Sequence, residues 1–440
     1  MGGAARLEMF RDLLGDAHRA LDLQFGFELW DGSTIPSDLP SYAMRLVIRR
    51  ESVIAALVRR PNLDTALNAY VAGLLDLKNG TLFDLADQRP RGKVVRQLRG
   101  LSKLKALKTA YQFLRAPSSM PRPLARVEDK ADARDGRPQT NKRNVAYHYD
   151  VSNDFYRLFL DPEMVYTCAY FQPDWHDDIA RAQRDKLDMI CRKLRLKPGE
   201  RLLDIGCGWG ALICHAAQHY GVKATGVTLA EEQAKLAREK IASLGLQDRV
   251  EVLLQDFTQV EGEFDKISSI GMFEQVGIAN YPSYFSAVHR LLRPRGLYLH
   301  HTIARRAKKS ERAFRKLKPE YKALTRYIFP GGELDHLGMS VSNLERHGFE
   351  VHDVEAWREH YQRTTRLWWE NLNARRKEAE TLVGPEKTRM WLLYLAGCSL
   401  AFERGAVGVN QTLASKRTRG ASGLPPSRAD LYVFSGSSQP

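Results

Sequence analysis

Residues 202–210 read Leu-Leu-Asp-Ile-Gly-Cys-Gly-Trp-Gly, and this stretch decides the fold prediction. It combines an apolar strand, an acidic residue and a glycine-rich turn, after which a helix is predicted to begin near Ala211. Glycine lets the backbone turn sharply and approach a ligand closely, because it has no Cβ. A carboxylate at this place is suited to hold ammonium or hydroxyl groups. Asp204, Gly206 and Gly208 are therefore predicted to bind a cofactor.

Two classes of cofactor fit this turn. Gly206, Gly208 and Ala211 match the dinucleotide pattern G-x-G-x-x-G/A. A dinucleotide site also expects an acidic residue about 20 residues further on, at the end of the second strand, where it binds the ribose. The second predicted strand ends at Thr228 instead. This difference favours S-adenosylmethionine, whose cationic sulfonium does not need a helix N-terminus to neutralise a phosphate.

Strand-like and helix-like patterns alternate from residue 144 to about residue 303. Such alternation predicts a parallel sheet with helices on both faces, that is, a doubly wound α/β fold. The predicted strands are residues 201–205, 223–228, 250–254, 266–270 and 297–301, and the predicted helices between them include 233–243 and 281–292.

Four regions are predicted along the chain. Residues 1–115 are typical of a small α+β domain, and residues 116–143, rich in proline and charge, are a predicted linker. The main domain is predicted to span 144–415, with a mainly helical part after residue 304. The tail 416–440 is rich in Lys, Arg, Gly, Ser and Pro and is predicted to be disordered.

Polar candidates follow each of the five predicted strands. Ligands of open parallel sheets bind beyond the carboxyl ends of the strands, so these residues are predicted to share one edge. Each has an alternative on its own, since Asp256 is a possible helix cap, Glu274 a surface acid and His301 a core histidine. Their common position favours a site. The candidates in strand order are Asp204 with its glycines, Thr228 to Gln233, Asp256 with Phe257, residues 271–277 with Glu274, and 301–303.

The formal net charge of +15 predicts an anionic partner, either nucleic acid or an acidic lipid surface. Residues 89–115 contain no acid and form a basic amphipathic pattern, which indicates either a membrane-surface helix or a helix packed on its own domain. A second basic segment covers 305–326. No apolar run is long enough to span a membrane, and no signal peptide is expected. Five cysteines without paired spacing predict a reduced, cytoplasmic protein with no metal site.

An ordered series of motifs resembles the cyclopropane-fatty-acyl-phospholipid synthase and mycolic acid cyclopropane synthase family of methyltransferases. The resemblance covers residues 144–411 and implies a class I methyltransferase fold, a Rossmann-like doubly wound sheet with helical additions. Residues 28–32, Glu-Leu-Trp-Asp-Gly, resemble the extra N-terminal domain of the phospholipid-acting branch, which the shorter mycolic acid branch lacks. The matching stretches are 148–156, 166–171, the glycine turn, 226–229, 271–274, 301–303 and 328–332.

The resemblance implies a reaction and the residues that hold its base. A methyl group of S-adenosylmethionine is delivered to a cis double bond of a lipid acyl chain, which leaves a carbocation. A base then removes a proton from the new methyl group, and the ring closes. In this family the base is thought to be bicarbonate, an anion that hydrogen-bond donors and a protonated partner can hold while a glutamate accepts its proton. Its holders would be Cys168, Glu274, His301, the backbone of Ile303, and Tyr361.

The same mapping implies the cofactor residues. Tyr166 and Thr167 would contact the methionine portion, and Gly206 and Gly208 would let the backbone approach. Thr228 and Gln233 would contact the ribose or the adenine. Asp256 and Phe257 would contact the adenine. Aromatic rings near the site are suited to stabilise a passing cation, namely Tyr166, Tyr170, Phe171 and Phe273.

Several alternatives stay open beside this reading. Gln275 stands where many relatives have His, so a titrating role at that position is absent. Cys168 has a competing interpretation as a hydrolase nucleophile. The carbocation can also lose a proton elsewhere, which gives methylene- or methyl-branched chains. A non-catalytic adaptor for membrane or nucleic acid is a further alternative. The expected partners are an unsaturated phospholipid in an anionic membrane and a second copy in a homodimer, with no nucleic acid. The expected location is the cytoplasmic, inner face of the membrane, bound peripherally.

Overall fold

The computed structural model describes residues 2–88, 97–124, 152–319, 321–322 and 332–432. The chain divides into two units. The N-terminal unit comprises Met1–Lys130, Lys318–Tyr327 and Val383–Ala396, and the sheet unit comprises the remainder. The first unit runs past the predicted boundary at residue 115 and includes two later segments of the chain, and the predicted domain division stays a prediction. Most of the predicted linker 116–143, residues 148–151 of the motif 148–156, and residues 328–331 lie outside the described residues.

The N-terminal unit contains a small mixed sheet with helices packed on it. Its strands are β1 (Gly26–Glu28), β2 (Thr34–Ile35), β3 (Arg45–Ile48) and β4 (Leu75–Lys78), in the order β2-β1-β3-β4. Only the β1–β3 pair is parallel. Its core includes Phe113, whose ring lies 5.6 Å from that of Phe10. The helices are α1 (Gly3–Leu21), α2 (Glu51–Arg59), α3 (Leu63–Val71), α4 (Leu82–Asp87) and α5 (Lys103–Leu114).

The sheet unit is built on a seven-stranded sheet in the order β10-β11-β9-β8-β5-β6-β7. Strands β5 to β9 are parallel to one another, and β11 and β10 add antiparallel strands at one edge of the sheet. The predicted Rossmann-like α/β fold is confirmed. The strands are β5 (Arg201–Ile205), β6 (Lys223–Thr228), β7 (Val250–Leu254), β8 (Phe264–Ile270), β9 (Leu292–Arg305), β10 (Phe349–Ala356) and β11 (Val407–Lys416).

Helices cover both faces of this sheet, as the burial of adjacent strand residues shows. Leu202 and Leu203 point to opposite faces, because side chains alternate along a strand, and each joins a separate hydrophobic cluster. The helices of the region are α6 (Asn153–Arg157), α7 (Ile179–Lys193), α8 (Ala211–Tyr220), α9 (Glu231–Ser243), α10 (Tyr281–Leu291), α11 (Glu311–Phe314), α12 (Leu337–Arg346) and α13 (Arg358–Ala374). Two more helices follow along the chain, α14 (Arg376–Val383) and α15 (Pro385–Glu403).

The strand order places the site. From β5 the chain runs outward through β6 and β7 on one side, and through β8 and β9 on the other. The order therefore reverses between β5 and β8, and ligands of open α/β sheets bind at the carboxyl ends of the strands at such a point. The glycine turn follows β5 directly, and residues 271–277 follow β8.

The prediction of a single strand after residue 304 is wrong. Residues 407–416 form strand β11, although the region after 304 was expected to be mainly helical with one strand near 350–354. Pairing with β9 and β10 on its two sides holds this strand, and that pairing is not a local property. In the tail, Asp430 pairs with Arg195 at 2.9 Å, and the expected disorder of residues 416–440 stays a prediction. Residues 433–440 lie outside the described part.

Candidate active site

The glycine turn after β5 has the geometry of a ligand cradle. Gly206, Gly208 and Gly210 have φ values of +81°, +54° and +83°, which side chains rarely allow. A Cβ at Gly206 would lie 2.7 Å from the Cβ of Met272, so only glycine fits there. A Cβ at Gly208 would meet nothing within 4 Å. The turn is therefore closely packed beneath Gly206 and faces open space at Gly208, as a bound cofactor requires.

Asp204 lies at the end of β5 and is almost fully buried. The Ser268 hydroxyl on the neighbouring strand β8 donates to its Oδ1 at 2.7 Å. Burial raises the pKa of the Asp204 carboxyl to about 6, against the effects of that hydrogen bond and of the Lys186 charge. The structure thus brings Asp204 to the base of the turn and ties it to the sheet through Ser268.

The candidates after β6 are buried and hydrogen-bonded to each other, whereas the first candidate after β7 caps a short helix. Thr228 and Gln233 are both buried, and the Thr228 hydroxyl donates to the Gln233 Oε1 at 2.9 Å, so these two candidates lie together. Asp256 caps the short helix that begins at Phe257, accepting from the Thr258 backbone N–H at 2.9 Å. That cap is the alternative that the sequence had left open for Asp256. The Phe257 ring packs edge-on to Tyr284 at 5.2 Å.

The segment before α7 brings Tyr166 and Thr167 to the same region. The Tyr166 ring lies 5.1 Å from that of Trp368. The Nζ of Lys186, a buried lysine, donates to the Thr167 Oγ1 at 2.9 Å. A Cβ at Gly271, the residue after β8, would lie 2.8 Å from the Thr167 Cγ2. Thr167 therefore packs directly on the loop that leads to Glu274.

The five residues assigned to anion binding gather around one buried side chain, Trp357. Cys168, Ile303 and Tyr361 share a hydrophobic cluster with it. The ring of His301 meets Trp357 edge-on at 5.8 Å. Glu274 joins the group through Ile303, whose backbone N–H donates to the Glu274 Oε1 at 2.6 Å. The five predicted residues are thus brought together, although they come from four separate stretches of the chain.

Glu274 is half-buried at this place. Besides the Ile303 N–H, the Thr302 hydroxyl donates to its Oε1 at 3.3 Å. Burial raises the pKa of the Glu274 carboxyl, and the hydrogen bonds from Ile303 and Thr302 oppose this effect only in part. A carboxyl of this kind takes up a proton more readily than one in water.

Cys168 is buried and in the thiol form. Its Sγ donates to the Ala169 carbonyl oxygen at 3.3 Å, and the Trp357 carbonyl oxygen lies at 3.8 Å. Burial raises the pKa of the Cys168 thiol well above its usual value. A nucleophilic cysteine needs the thiolate, so these surroundings disfavour the hydrolase interpretation and leave Cys168 as a hydrogen-bond donor.

A buried chain of polar groups determines the tautomer of His301. The ammonium of Lys193 can only donate, and its Nζ lies 2.7 Å from the Gln411 Oε1. The amide nitrogen of Gln411 therefore faces His301 and donates to its Nδ1 at 3.1 Å. Burial, together with Lys186 and Lys193, holds the pKa of His301 well below its usual value. His301 is thus neutral with its proton on Nε2, which makes this nitrogen a hydrogen-bond donor.

Sequence reasoning missed three residues next to His301. They are Lys193 and Gln411, which lie in the series of buried hydrogen bonds, and Trp357, whose ring contacts His301. Lys193 also forms a short ion pair with Glu355, and its Nζ lies 4.9 Å from the centre of the Trp357 ring. No local signal distinguishes Lys193 from the other lysines of a basic chain, and Gln411 lies on the strand that was expected to be helical. The Trp357 indole N–H is buried and has no hydrogen-bond partner within the described residues.

The aromatic candidates separate in the structure. The Tyr170 ring lies 5.0 Å from that of Trp357, and the Phe171 ring lies nearly parallel to that of His360 at 6.2 Å. Phe273 instead packs in the core beneath the sheet edge, with its ring 4.2 Å from that of Tyr281. Tyr170 is therefore the aromatic candidate next to the residues predicted to hold the anion, and Phe273 is a core residue.

Comparison with known proteins identifies the family of this chain. Residues 137–412 match the family model of mycolic acid cyclopropane synthetase. A relative from Pseudomonas putida, named "Probable fatty acid methyltransferase", is 38% identical over 95% of this chain and 99% of its own length. The cyclopropane-fatty-acyl-phospholipid synthase of Escherichia coli K12 is 39% identical over 61% of this chain and 66% of its own length.

A solved structure extends the agreement to three dimensions. Mycolic acid cyclopropane synthase CmaA1, complexed with SAH and CTAB, is 38% identical to this chain, with a TM-score of 0.59. The alignment covers 62% of this chain and 98% of CmaA1. The glycine cradle after β5, the strand order and these matches lead to one conclusion. The chain belongs to the mycolic acid cyclopropane synthetase family and is an S-adenosylmethionine-dependent methyltransferase.

Proposed function

We propose that the protein is a cyclopropane-fatty-acyl-phospholipid synthase, which adds a methylene group across the cis double bond of a phospholipid acyl chain. The observation that carries the proposal is the buried donor group around Trp357. Its members are the Trp357 N–H, which has no hydrogen-bond partner in the described part of the chain, the His301 Nε2–H, the Ile303 N–H and the Cys168 thiol, with the Glu274 carboxyl beside them. A set of hydrogen-bond donors around a buried indole suits a small anion acting beside a carbocation.

The cofactor residues follow from the cradle. We assign the methionine portion of S-adenosylmethionine to Tyr166, Thr167 and the glycine turn with Asp204, and the ribose and adenine to Thr228, Gln233, Asp256 and Phe257. When bound, this cofactor supplies an electrophilic methyl group. The open space at Gly208 and the positive φ values of the turn support the assignment.

The anion we assign to the site is bicarbonate, which would supply the base that takes a proton from the new methyl group. Cys168, Glu274, His301, the Ile303 N–H and Tyr361 are the residues that would hold it. The Ile303 N–H already donates to Glu274, and the Cys168 thiol already donates to the Ala169 carbonyl oxygen. To bind the anion, these two groups would either share their hydrogen atom between two acceptors or give up their present acceptor. The raised pKa of Glu274 suits it to receive the proton. Tyr170 offers a ring face close to the passing cation.

The chemistry of the relatives supports a lipid substrate. The E. coli relative is named for phospholipids, and the net charge of +15 matches an anionic bilayer. No helix of the described residues is both long and apolar enough to cross a membrane. We therefore propose that the enzyme works on the bilayer from outside it, attached peripherally to its inner, cytoplasmic face. The homodimer implied by the resemblance stays a prediction.

The P. putida relative favours a second candidate product. Its printed name is that of a fatty acid methyltransferase, and it matches almost the full length of this chain. The second candidate is therefore a methylene- or methyl-branched chain, which forms when the carbocation loses its proton at another carbon. A shift of about an ångström in the base is enough to change the product.

Mass spectrometry with proton NMR of the acyl chains tests both candidates. Purified protein is incubated with S-adenosylmethionine and vesicles of mono-unsaturated, partly anionic phospholipid. A gain of one CH2 with loss of the olefinic protons supports the cyclopropane product. The same gain with an olefinic signal retained supports the methylene product, and a gain of CH2 with two more hydrogens indicates a branched chain that a reductase has completed. Absence of transfer, with cofactor binding demonstrated, would refute the proposal.

A further inference from the structure

Helix α5 of the N-terminal unit exposes a line of large apolar side chains. Its opposite face is anchored, because Thr109 and Phe113 are buried in the core of that unit. The outward residues recur at intervals of three and four, so they lie along one stripe of the helix. They are Leu104 (77% exposed), Leu107 (69%), Tyr111 (48%) and Leu114 (48%).

Exposed apolar residues are concentrated on this stripe. Of the eleven exposed large hydrophobic residues in the described part of the chain, four lie on these three turns of helix. Single exposed apolar residues are ordinary on protein surfaces, whereas a contiguous patch marks a surface that meets something apolar.

Basic side chains border the stripe on both sides. At 100° per residue, Lys103 lies at one edge of the apolar arc and Lys108 at the other, and both are exposed. The Arg115 guanidinium lies over the Tyr111 ring at 4.4 Å. Lys105 points toward α1 instead, where its Nζ meets Asp16 at 2.5 Å. The helix itself contains no acidic residue.

We propose that this face of α5 binds the surface of an anionic phospholipid bilayer. The leucines enter the boundary between headgroups and acyl chains, while Lys103, Lys108 and Arg115 reach the phosphates. The inference rests on the proposed function, because an enzyme that modifies acyl chains in a bilayer must meet that bilayer. Charge complementarity favours the membrane over a second copy, since two identical faces would bring their lysines together.

Vesicle binding of the full-length protein tests the proposal. The double variant Leu104→Gln, Leu107→Gln is compared with wild type by flotation with vesicles containing phosphatidylglycerol. Both side chains are exposed, so the variant keeps its unfolding midpoint. The expected result is a loss of vesicle affinity of about tenfold for each leucine. The matched control is Leu382→Gln, a leucine 46% exposed in the sheet unit, which leaves vesicle affinity unchanged.

A charge variant tests the border of the stripe. Lys103→Gln with Lys108→Gln is expected to weaken binding to anionic vesicles about fivefold for each lysine, and to leave the weak binding to purely zwitterionic vesicles unchanged. The loss shrinks at high salt, because exposed charges are screened. An equal loss on both vesicle types would contradict the assignment of these lysines to phosphates.

Two further results separate this inference from the proposed function. If the leucine variant loses vesicle binding but still transfers methyl groups to a dispersed short-chain unsaturated phospholipid, the surface is distinct from the site and the proposal holds. If wild type transfers no methyl group to either lipid, the proposed function fails, and flotation still decides the surface. Unchanged flotation of the leucine variant overturns the inference. Unchanged flotation with a smaller mass in sedimentation velocity would identify the face as a contact between copies.

Discussion

Gln411 lies between Lys193 and His301, and replacing it tests whether the His301 tautomer matters. In Gln411→Leu both hydrogen bonds are lost, the one from Lys193 Nζ at 2.7 Å and the one to His301 Nδ1 at 3.1 Å. Each buried bond contributes about 1 kcal/mol net, and a buried group left without a partner adds a further 1–3 kcal/mol. Lys193 keeps Glu355 and only the His301 Nδ1 is left unpaired, so we expect the free energy of unfolding to fall by about 3–5 kcal/mol.

The catalytic effect is separable from this loss of stability. Without Gln411 the His301 ring is free to carry its proton on either nitrogen, so we expect kcat to fall about tenfold to a hundredfold, as for other groups that orient a functional histidine. The KM for S-adenosylmethionine should not change, because the two hydrogen bonds of Gln411 go to Lys193 and His301 and not to the glycine turn.

Two further variants keep the test decisive. Gln411→Glu retains the contact with Lys193 but accepts from Nδ1, which moves the proton off Nε2 and raises the pKa of His301. We expect its rate to acquire a new pH dependence. Thr412→Val is the control, because the buried Thr412 hydroxyl on the same strand has no hydrogen-bond partner among described residues. The assay is methyl transfer to vesicles followed by mass spectrometry, with unfolding in urea. Wild-type kcat in folded Gln411→Leu and Gln411→Glu would refute the reasoning.

Three other predictions concern the same site. Glu274→Gln removes the carboxylate that accepts the Ile303 N–H, and we expect kcat to fall about a hundredfold or more with cofactor affinity by calorimetry unchanged; retention of wild-type kcat would exclude Glu274 from proton transfer. The pKa of Asp204 is raised to about 6 in the folded state from 3.8, so the folded protein binds the extra proton, and this group's contribution to stability falls by about 3 kcal/mol as pH rises from about 4 to about 6. Asp204→Asn keeps an acceptor for Ser268, and it should remove this fall from the free energy of unfolding measured in urea between about pH 4 and about pH 6. An unchanged dependence on pH in the variant would contradict the raised pKa of Asp204. Cys168 is a buried thiol, so iodoacetamide at pH 8 should label the partly exposed Cys398 first, as peptide mass spectrometry would show; prior labelling of Cys168 would restore the nucleophile interpretation.

The sequence alone determined the parallel core of the fold. Strands β5, β6 and β7 occur at the predicted residues, because each is a short apolar run followed by a turn, and a local pattern is enough to define it. The glycine turn could also be predicted from the sequence, since positive φ values depend on single residues and glycine adopts them most easily. Residues at the ends of parallel strands converge whatever the side chains are, so Glu274 and His301 could be assigned to one edge before the structure was known.

Tertiary structure alone decided the state and the partners of the site residues. Strand β11 exists because β9 and β10 pair with it, and Gln411 meets His301 across 110 residues of sequence and Lys193 across 218. The thiol form of Cys168, the neutral form of His301 and the raised pKa of Glu274 all follow from burial. Burial and long-range hydrogen bonds depend on which distant elements pack together, and no local pattern of residues contains that information.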